Sequence, residues 1–270
     1  MMSAGWARAP LLRASVLLHA AALAAVAVRP RSWPWALGAL VLDHALITAA
    51  GLWPRSRLLG PNWVRLSAAS AARAEVALTI DDGPDPQVTP AVLDILGRAG
   101  ARATFFCIGR RVAQHPDLAR ALVAHGHRIE NHTQHHPLGF SCFGPGRLRA
   151  EIAAAQDTIT RVTGTTPRFF RAPAGLRNPF LEPVLAQLGL ELASWTRRGF
   201  DTVSHDAARV QRRLTRNLRA GDILLLHDGH AARAPGGRAV ILETLPGLIE
   251  ALGSRGLRPV TLAAALGEAA

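Results

Sequence analysis

The chain has 270 residues, 49% of them hydrophobic, enough to bury one sizeable core with material to spare. Its formal charge is +12 and every basic residue is an arginine. No basic run and no interleaved stacking aromatics accompany that charge, and tyrosine is absent, so it does not describe a nucleic-acid surface. The two cysteines, Cys107 and Cys142, form no C-x-x-C pair, which excludes a zinc ribbon. They read as buried packing residues.

At the N-terminus, residues 1–70 hold seven arginines against one acid, Asp43. Two apolar stretches lie there, 14–28 and 33–53. The first, bracketed by Arg13 and Arg29, covers about 22 Å as a helix. It spans a bilayer core of about 30 Å by recruiting Leu11 and Leu12 or by snorkelling of its arginines. The second carries Trp33, Trp35 and Trp53 at its ends, as an interfacial aromatic belt does. Asp43 and His44 fall in its middle and are expected to face a partner helix. The A-V-A at 25–27 resembles a signal-peptide cleavage site. A second apolar stretch following so soon favours a two-helix membrane hairpin instead. The remaining alternative is a buried helical pair packed on a soluble domain. Arg8, Arg13, Arg55, Arg57 and Arg65 flank the pair, against Arg29 and Arg31 between the helices. By the positive-inside rule this bias favours the cytoplasmic face of a bacterial-type inner membrane. The expected organisation is an anchor over 1–56, a linker over 57–73 with room for a short interfacial helix, and a folded domain over 74–270.

Within that domain strand-like and helix-like segments alternate. Strands are predicted at 76–80, 103–107, 127–130, 168–171, 190–194, 222–226 and 258–261. Helices are predicted at 89–98, 116–124, 148–162, 179–188, 206–218 and 240–252, with Gly100, Gly126 and Gly164 as stops and Asp206 as an N-cap. The alternation predicts an α/β fold with a parallel sheet, closed or nearly closed into a barrel. An open doubly wound sheet would normally carry a glycine-rich phosphate loop after its first strand, and D-D-G-P is not one.

The unusual polar residues sort onto the strand ends. Asp81 and Asp82 follow the first strand, N-H-T-Q-H-H-P the third and R-A-P-A-G the fourth. Trp195 and Asp201 follow the fifth, and His227 and Asp228 the sixth. In a parallel barrel these ends converge on the face where active sites are built. His132 and His136, four apart in a turn or short helix, can face one metal ion, with a carboxylate as third ligand and open positions for water and substrate. His135 lies next to them as a substitute ligand. Strand alternation would point Asp81 and Asp82 to opposite faces, and the Gly83-Pro84 turn is expected to break it. One acid then binds metal while the other, held ionised by Arg171 through a bidentate pair, remains free as a base. His227 is left for proton donation, kept charged by Asp201.

T-I-D-D-G-P, H-T-Q-H-H, R-A-P-A-G, W-(x)5-D and L-L-H-D occur in that order. Together they resemble the five motifs of the polysaccharide deacetylase family, the NodB-homology domains of carbohydrate esterase family 4, over about residues 74–265. The resemblance implies a deformed (β/α) barrel that removes acetyl groups from amino sugars with one divalent ion, zinc or alternatively cobalt, nickel or manganese. It implies Asp81 as general base, Asp82, His132 and His136 as metal ligands, Arg171 as partner of Asp81, and His227 as general acid with Asp201 behind it. It also implies Leu225 as a wall of the acetyl pocket, Trp195 beside the substrate, and a backbone N–H near Ala174 for the oxyanion. Three positions depart from the family's usual residues: Ile80 stands for Phe, Thr202 for Trp, and Ala174 for the Tyr of several polysaccharide-active members. The expected partners are an acylated amino-sugar glycan or glycolipid and, through the N-terminal helices, membrane lipid. No nucleic acid and no protein partner are expected. The alternatives are a deformylase or deacetylase of a polyprenyl-linked sugar, and a non-catalytic sugar-binding scaffold.

Overall fold

The computed structural model describes residues 9–267. Arg8, counted in the charge bias above, lies outside them. Two helices open the chain, α1 (Pro10–Val28) and α2 (Trp33–Leu52), joined by a single turn over Pro30–Ser32. Both are long and apolar enough to cross a membrane, with mean hydropathies of 2.0 and 1.5. Neither has an apolar stripe facing a core. Their large apolar side chains point outward, Leu17, Leu23, Leu42 and Trp35 among them. The seam between them is polar in its middle, where Ser15 donates to Asp43 at 2.6 Å and the rings of His19 and His44 meet edge to face at 5.3 Å, and apolar at one end, where Leu12 and Ala50 cluster with Leu59. Asp43 therefore does face a partner helix, as the sequence required.

After a short helix α3 (Ala68–Ala72), the domain runs β1 (Glu75–Asp81), α4 (Thr89–Arg98), β2 (Thr104–Cys107), α5 (Gly109–Gln114), α6 (Pro116–Ala124), β3 (Arg128–Asn131) and α7 (Pro145–Thr163). It continues β4 (Phe169–Phe170), α8 (Leu181–Leu188), β5 (Glu191–Leu192), β6 (Arg197–Arg198), α9 (Ala207–Thr215), β7 (Ile223–His227), α10 (Val240–Gly253), β8 (Arg258–Val260) and α11 (Leu262–Ala265). All the strand pairings are parallel, in the order β5-β4-β3-β2-β1-β7-β6, with β8 also on β1.

Side-chain parity divides this curled sheet into two layers. Val76, Leu78 and Ile80 of β1, Phe105 of β2, and Leu224 and Leu226 of β7 pack outward against the helices. Ala77, Phe106, Ile223 and Leu225 fill the inside with Phe169 and Trp195. Burying each of these large side chains contributes about 1.5–3 kcal/mol. That apolar lining is what can bear the cost of the polar groups the same parity delivers. Thr79 and Asp81 share the inner face with Ala77, and His227 shares it with Leu225.

The sheet curls without closing. No ladder joins β5 to β6 among the described residues, and the gap is bridged by Trp63, whose N–H donates to Leu192 and which pairs with Ala193. The stretch read as a linker is thus bonded into the domain, with Leu66 N–H on Gly221 O and Ser70 buried. Several expected bounds shift. The strands near 168–171 and 190–194 shorten to two residues each, while α5 and β6 were not foreseen. Cys142 is exposed and not a packing residue, because it sits on a surface turn after Phe140, whereas Cys107 is buried; both are free thiols.

The hairpin is seated directly on the barrel. Arg177 N–H donates to Gly51 O at 3.1 Å, and a β-carbon at Gly51 would stand 2.3 Å from Arg177 O, so only glycine allows this approach. Pro54 O accepts from Ser194 Oγ at 2.6 Å and from Asn62 Nδ2 at 2.9 Å. Buried Arg177, its pKa lowered to about 10 by burial, also donates to Ser56 O.

Candidate active site

The first carboxylate arrives by strand parity and the second by a backbone turn. Asp81 ends β1 pointing inward, and Asp82 follows at φ +72, a left-handed conformation that swings its side chain onto the same face. The break in alternation is therefore at Asp82 itself, one residue before the Gly83-Pro84 turn to which the sequence assigned it. Gly83 is required for a different reason. A β-carbon there would lie 2.5 Å from both carboxylate oxygens of Asp228, which closes over the turn. Asp228 accepts from Thr89 Oγ1 and Gly229 N–H, and burial pushes its pKa up to about 7. It braces the turn and does not line the pocket.

Asp81 Oδ1 receives Arg171 Nη1 at 2.6 Å. The pair is monodentate, not the fork-to-fork contact expected. Arg171 is fully buried and spends its other donors on Thr79 Oγ1, Ala193 O and Ser194 O, with Phe106 stacked 4.0 Å from its Cζ. Burial lowers its pKa against the pull of Asp81. A charge buried this deeply is tolerable only with such full pairing.

Asp82 Oδ1 faces His132 Nε2 at 3.2 Å and His136 Nε2 at 3.3 Å. His132 and His136 lie in an irregular loop with left-handed Thr133 and His136, not in a helix. His132 Nδ1 donates to Arg171 O at 2.8 Å; since a carbonyl only accepts, the neutral ring keeps its proton on Nδ1 and its lone pair on Nε2. Burial and the neighbouring His132 lower the His136 pKa to about 4, so its ring is neutral. For His132 burial works against the neighbouring Asp82 and Asp81, which raise its pKa on balance. Burial also opposes ionisation of Asp82, but His132 and His230 outweigh it and hold the carboxyl well below its usual range.

This donor set fits a divalent cation. Asp82 Oδ1 is buried with no hydrogen-bond partner, and the three ligand atoms lie within 4.8 Å of one another. One carboxylate and two imidazoles is the three-ligand pattern that leaves a position open. His135 is turned away, its Nδ1 on Glu151 at 2.9 Å, outside the group.

Across the pocket His227 Nδ1 pairs with Asp201 Oδ1 at 2.9 Å, and Asp201 Oδ2 accepts the His227 backbone N–H at 2.7 Å. Burial lowers the His227 pKa, but Asp201 outweighs it and the net shift is upward. The Thr202 departure does not separate the two. Leu225, Trp195 and Ala174 all line the same recess, with Ala174 at φ +54 in the one-turn segment Pro173–Gly175. Every site residue expected from the sequence is thus brought to one pocket or bonded to a residue that lines it.

Two residues were missed. His230 Nδ1 lies 3.2 Å from Asp82 Oδ2, and Arg111 donates to Asp82 O at 2.9 Å and sits 3.2 Å from His230 Nε2. The signal for His230 was its place three residues after His227; Arg111 had none. Arg198 also lines the pocket.

The chain is similar to known proteins over most of its length. Residues 69–193 match the family model described as polysaccharide deacetylase. A chitooligosaccharide deacetylase of Azorhizobium caulinodans is 37% identical over 194 residues, 68% of this chain and 90% of its own length. A peptidoglycan-N-acetylglucosamine deacetylase of Bacillus cereus is 33% identical over 69% of this chain and 85% of its own. The solved family 4 carbohydrate esterase of Streptomyces lividans, in complex with acetate, superposes with a TM-score of 0.62 at 32% identity, over 68% of this chain and 91% of that one. With relatives this similar along nearly their whole length, the chain belongs to the polysaccharide deacetylase family and is a hydrolase of carbon–nitrogen bonds other than peptide bonds.

Proposed function

We propose that the protein is a membrane-anchored, metal-dependent hydrolase that removes an N-acyl group from an amino sugar. The observation that carries this is the division of labour within D-D-G-P. Asp81 is locked to Arg171, while Asp82 presents an unpartnered oxygen to two imidazole lone pairs. Asp82, His132 and His136 would hold the ion, which when bound supplies a Lewis acid and acidifies water at neutral pH.

The remaining chemistry falls to the chain's own groups. Asp81, paired with Arg171, takes the proton of the attacking water. Trp195 and Leu225 place the acyl group and exclude solvent from it. A backbone N–H near Ala174 stabilises the oxyanion. His227, protonated through its pairing with Asp201, gives its proton to the departing amine. The outward apolar faces of α1 and α2 support a bilayer anchor in place of a cleaved leader, because α1 is itself tied to the segment after α2 by Leu11 N–H on Leu58 O at 3.2 Å.

The test is acyl release by the full chain in detergent from an N-acetylated chitooligosaccharide, followed as acetate. Release should stop on chelation and resume with zinc or cobalt. Undiminished release after removal of all metal would refute the metal role, and no release in any metal would refute the activity.

A further inference from the structure

The recess at the catalytic residues is small. At about 210 Å³ it is below the range of sites that enclose a whole ligand, and it suits an acylamino group with little more than the ring that bears it. Trp195 and Arg198 also line a second recess, of about 290 Å³, with Trp53, Pro54, Arg55, Thr196 and Phe200. Whatever the sugar is attached to has a place there.

Arginine dominates that second recess. The Arg198 guanidinium lies over the rings of Trp195 at 5.5 Å and Phe200 at 5.0 Å. Its Nε is buried and makes no hydrogen bond, and among the described residues it pairs with no carboxylate. A planar guanidinium packed against two aromatic rings and paired with no carboxylate is arranged to receive an oxyanion. Arg55 stands on the facing wall, exposed, with one long contact from Nη1 to Thr196 O at 3.4 Å. Arg213 lies over the far side of the group, 5.3 Å from the Phe200 ring. No acidic residue lines the recess.

Its position supplies the second constraint. Trp53, Pro54 and Arg55 are the residues that immediately follow α2, so the recess begins where the hairpin ends. Trp53 is 57% exposed, as an aromatic anchor at the membrane–water interface would be. A substrate reaching this recess from the bilayer would carry its polar linkage at that depth.

We infer that the second recess binds a phosphate or diphosphate on the acylated amino sugar, with Arg198 and Arg55 as its ligands, and that the substrate is a membrane glycolipid presented along the hairpin. This rests on the deacylation proposed above. A phosphate-bearing sugar could also come from a soluble nucleotide, and the experiment separates the two.

The full chain in phospholipid vesicles is assayed on three probes: N-acetylglucosamine on polyprenyl diphosphate, the same sugar on uridine diphosphate, and neutral chitotetraose. The lipid-linked probe should exceed chitotetraose in kcat/KM by about tenfold or more, the worth of a single charged hydrogen bond at the low end. Arg198→Gln should cut that preference about 10–100-fold, and exposed Arg55→Gln should cut it by less. Equal kcat/KM on all probes, or variants that lower all three by one factor, would overturn the phosphate site. A nucleotide-linked probe as good as the lipid-linked one would overturn the membrane source. Should nothing be turned over, the deacylation reading fails by itself. The site is then judged by titrating tryptophan fluorescence with the lipid-linked probe, which wild type should bind at least tenfold more tightly than Arg198→Gln. Equal affinities would overturn the site.

Discussion

The hairpin and the barrel solve opposite problems with the same residue types. In α1 and α2 the polar pair Ser15–Asp43 is inside and leucine and tryptophan are outside. In the barrel phenylalanine and leucine are inside, and the polar groups collect where the strands end. The difference teaches that burial of a charge is not in itself a sign of chemistry. Asp43 is buried and satisfied by one hydroxyl across a helix seam, whereas Asp82 is buried with an oxygen left unsatisfied between two imidazoles. An unsatisfied carboxylate oxygen set between two imidazoles is what marks a binding site.

The largest effects should come from the unsatisfied group. His132→Ala or His136→Ala should empty the metal site and lower the rate by several orders of magnitude. His135→Ala should leave metal content nearly unchanged, because His135 is occupied with Glu151. Elemental analysis of the three purified variants checks this, and loss of metal from His135→Ala alone would move the site.

His227→Ala should lower the rate by about 10²–10⁴, the usual worth of a positioned acid or base, with metal retained. Asp201→Asn is the subtler variant. Asp201 raises the His227 pKa against burial, so removing its charge should bring that pKa down. His227 would then lose its proton at lower pH, and the alkaline limb of the rate profile should move in the acid direction. A limb that stayed in place would show that another group controls it.

Smaller effects test the supporting structure. Gly83→Ala would force a methyl group onto the Asp228 carboxylate and should destabilise the domain by about 1–3 kcal/mol, read as a lowered melting temperature. Ser15→Ala leaves Asp43 without its donor and should cost the hairpin about 1–3 kcal/mol, read by unfolding in detergent. If Ser15→Ala unfolded the barrel as well, the two regions would be one cooperative unit and the contrast between them would blur.

Much of this was legible in the sequence because strands and motifs are local. The alternation of strands and helices, β6 and α5 apart, followed from short apolar runs between glycine stops, and the clustering of Asp81, His132, Arg171, Asp201 and His227 followed from their places after strands. Two-residue strands such as β6 carry no periodicity to read. Nor does sequence show contacts between distant segments. His230 meets Asp82 across 148 positions, and Gly51 meets Arg177 across a loop no local pattern announces. The left-handed Asp82 was hidden for a related reason: a single φ decides it, and the neighbouring Gly-Pro offered a more conspicuous explanation.

The most direct test of the division within D-D-G-P is metal content beside steady-state rate for Asp81→Asn and Asp82→Asn. Arg171 keeps three other acceptors and asparagine keeps an oxygen at Asp81 Oδ1, so the first variant should stay folded. It should hold its metal while the rate falls about 10²–10⁴-fold, with no rescue by added ion. Asp82→Asn should lose metal and activity together, and excess ion should restore part of both. Metal lost from Asp81→Asn and kept, with activity, in Asp82→Asn would contradict the account.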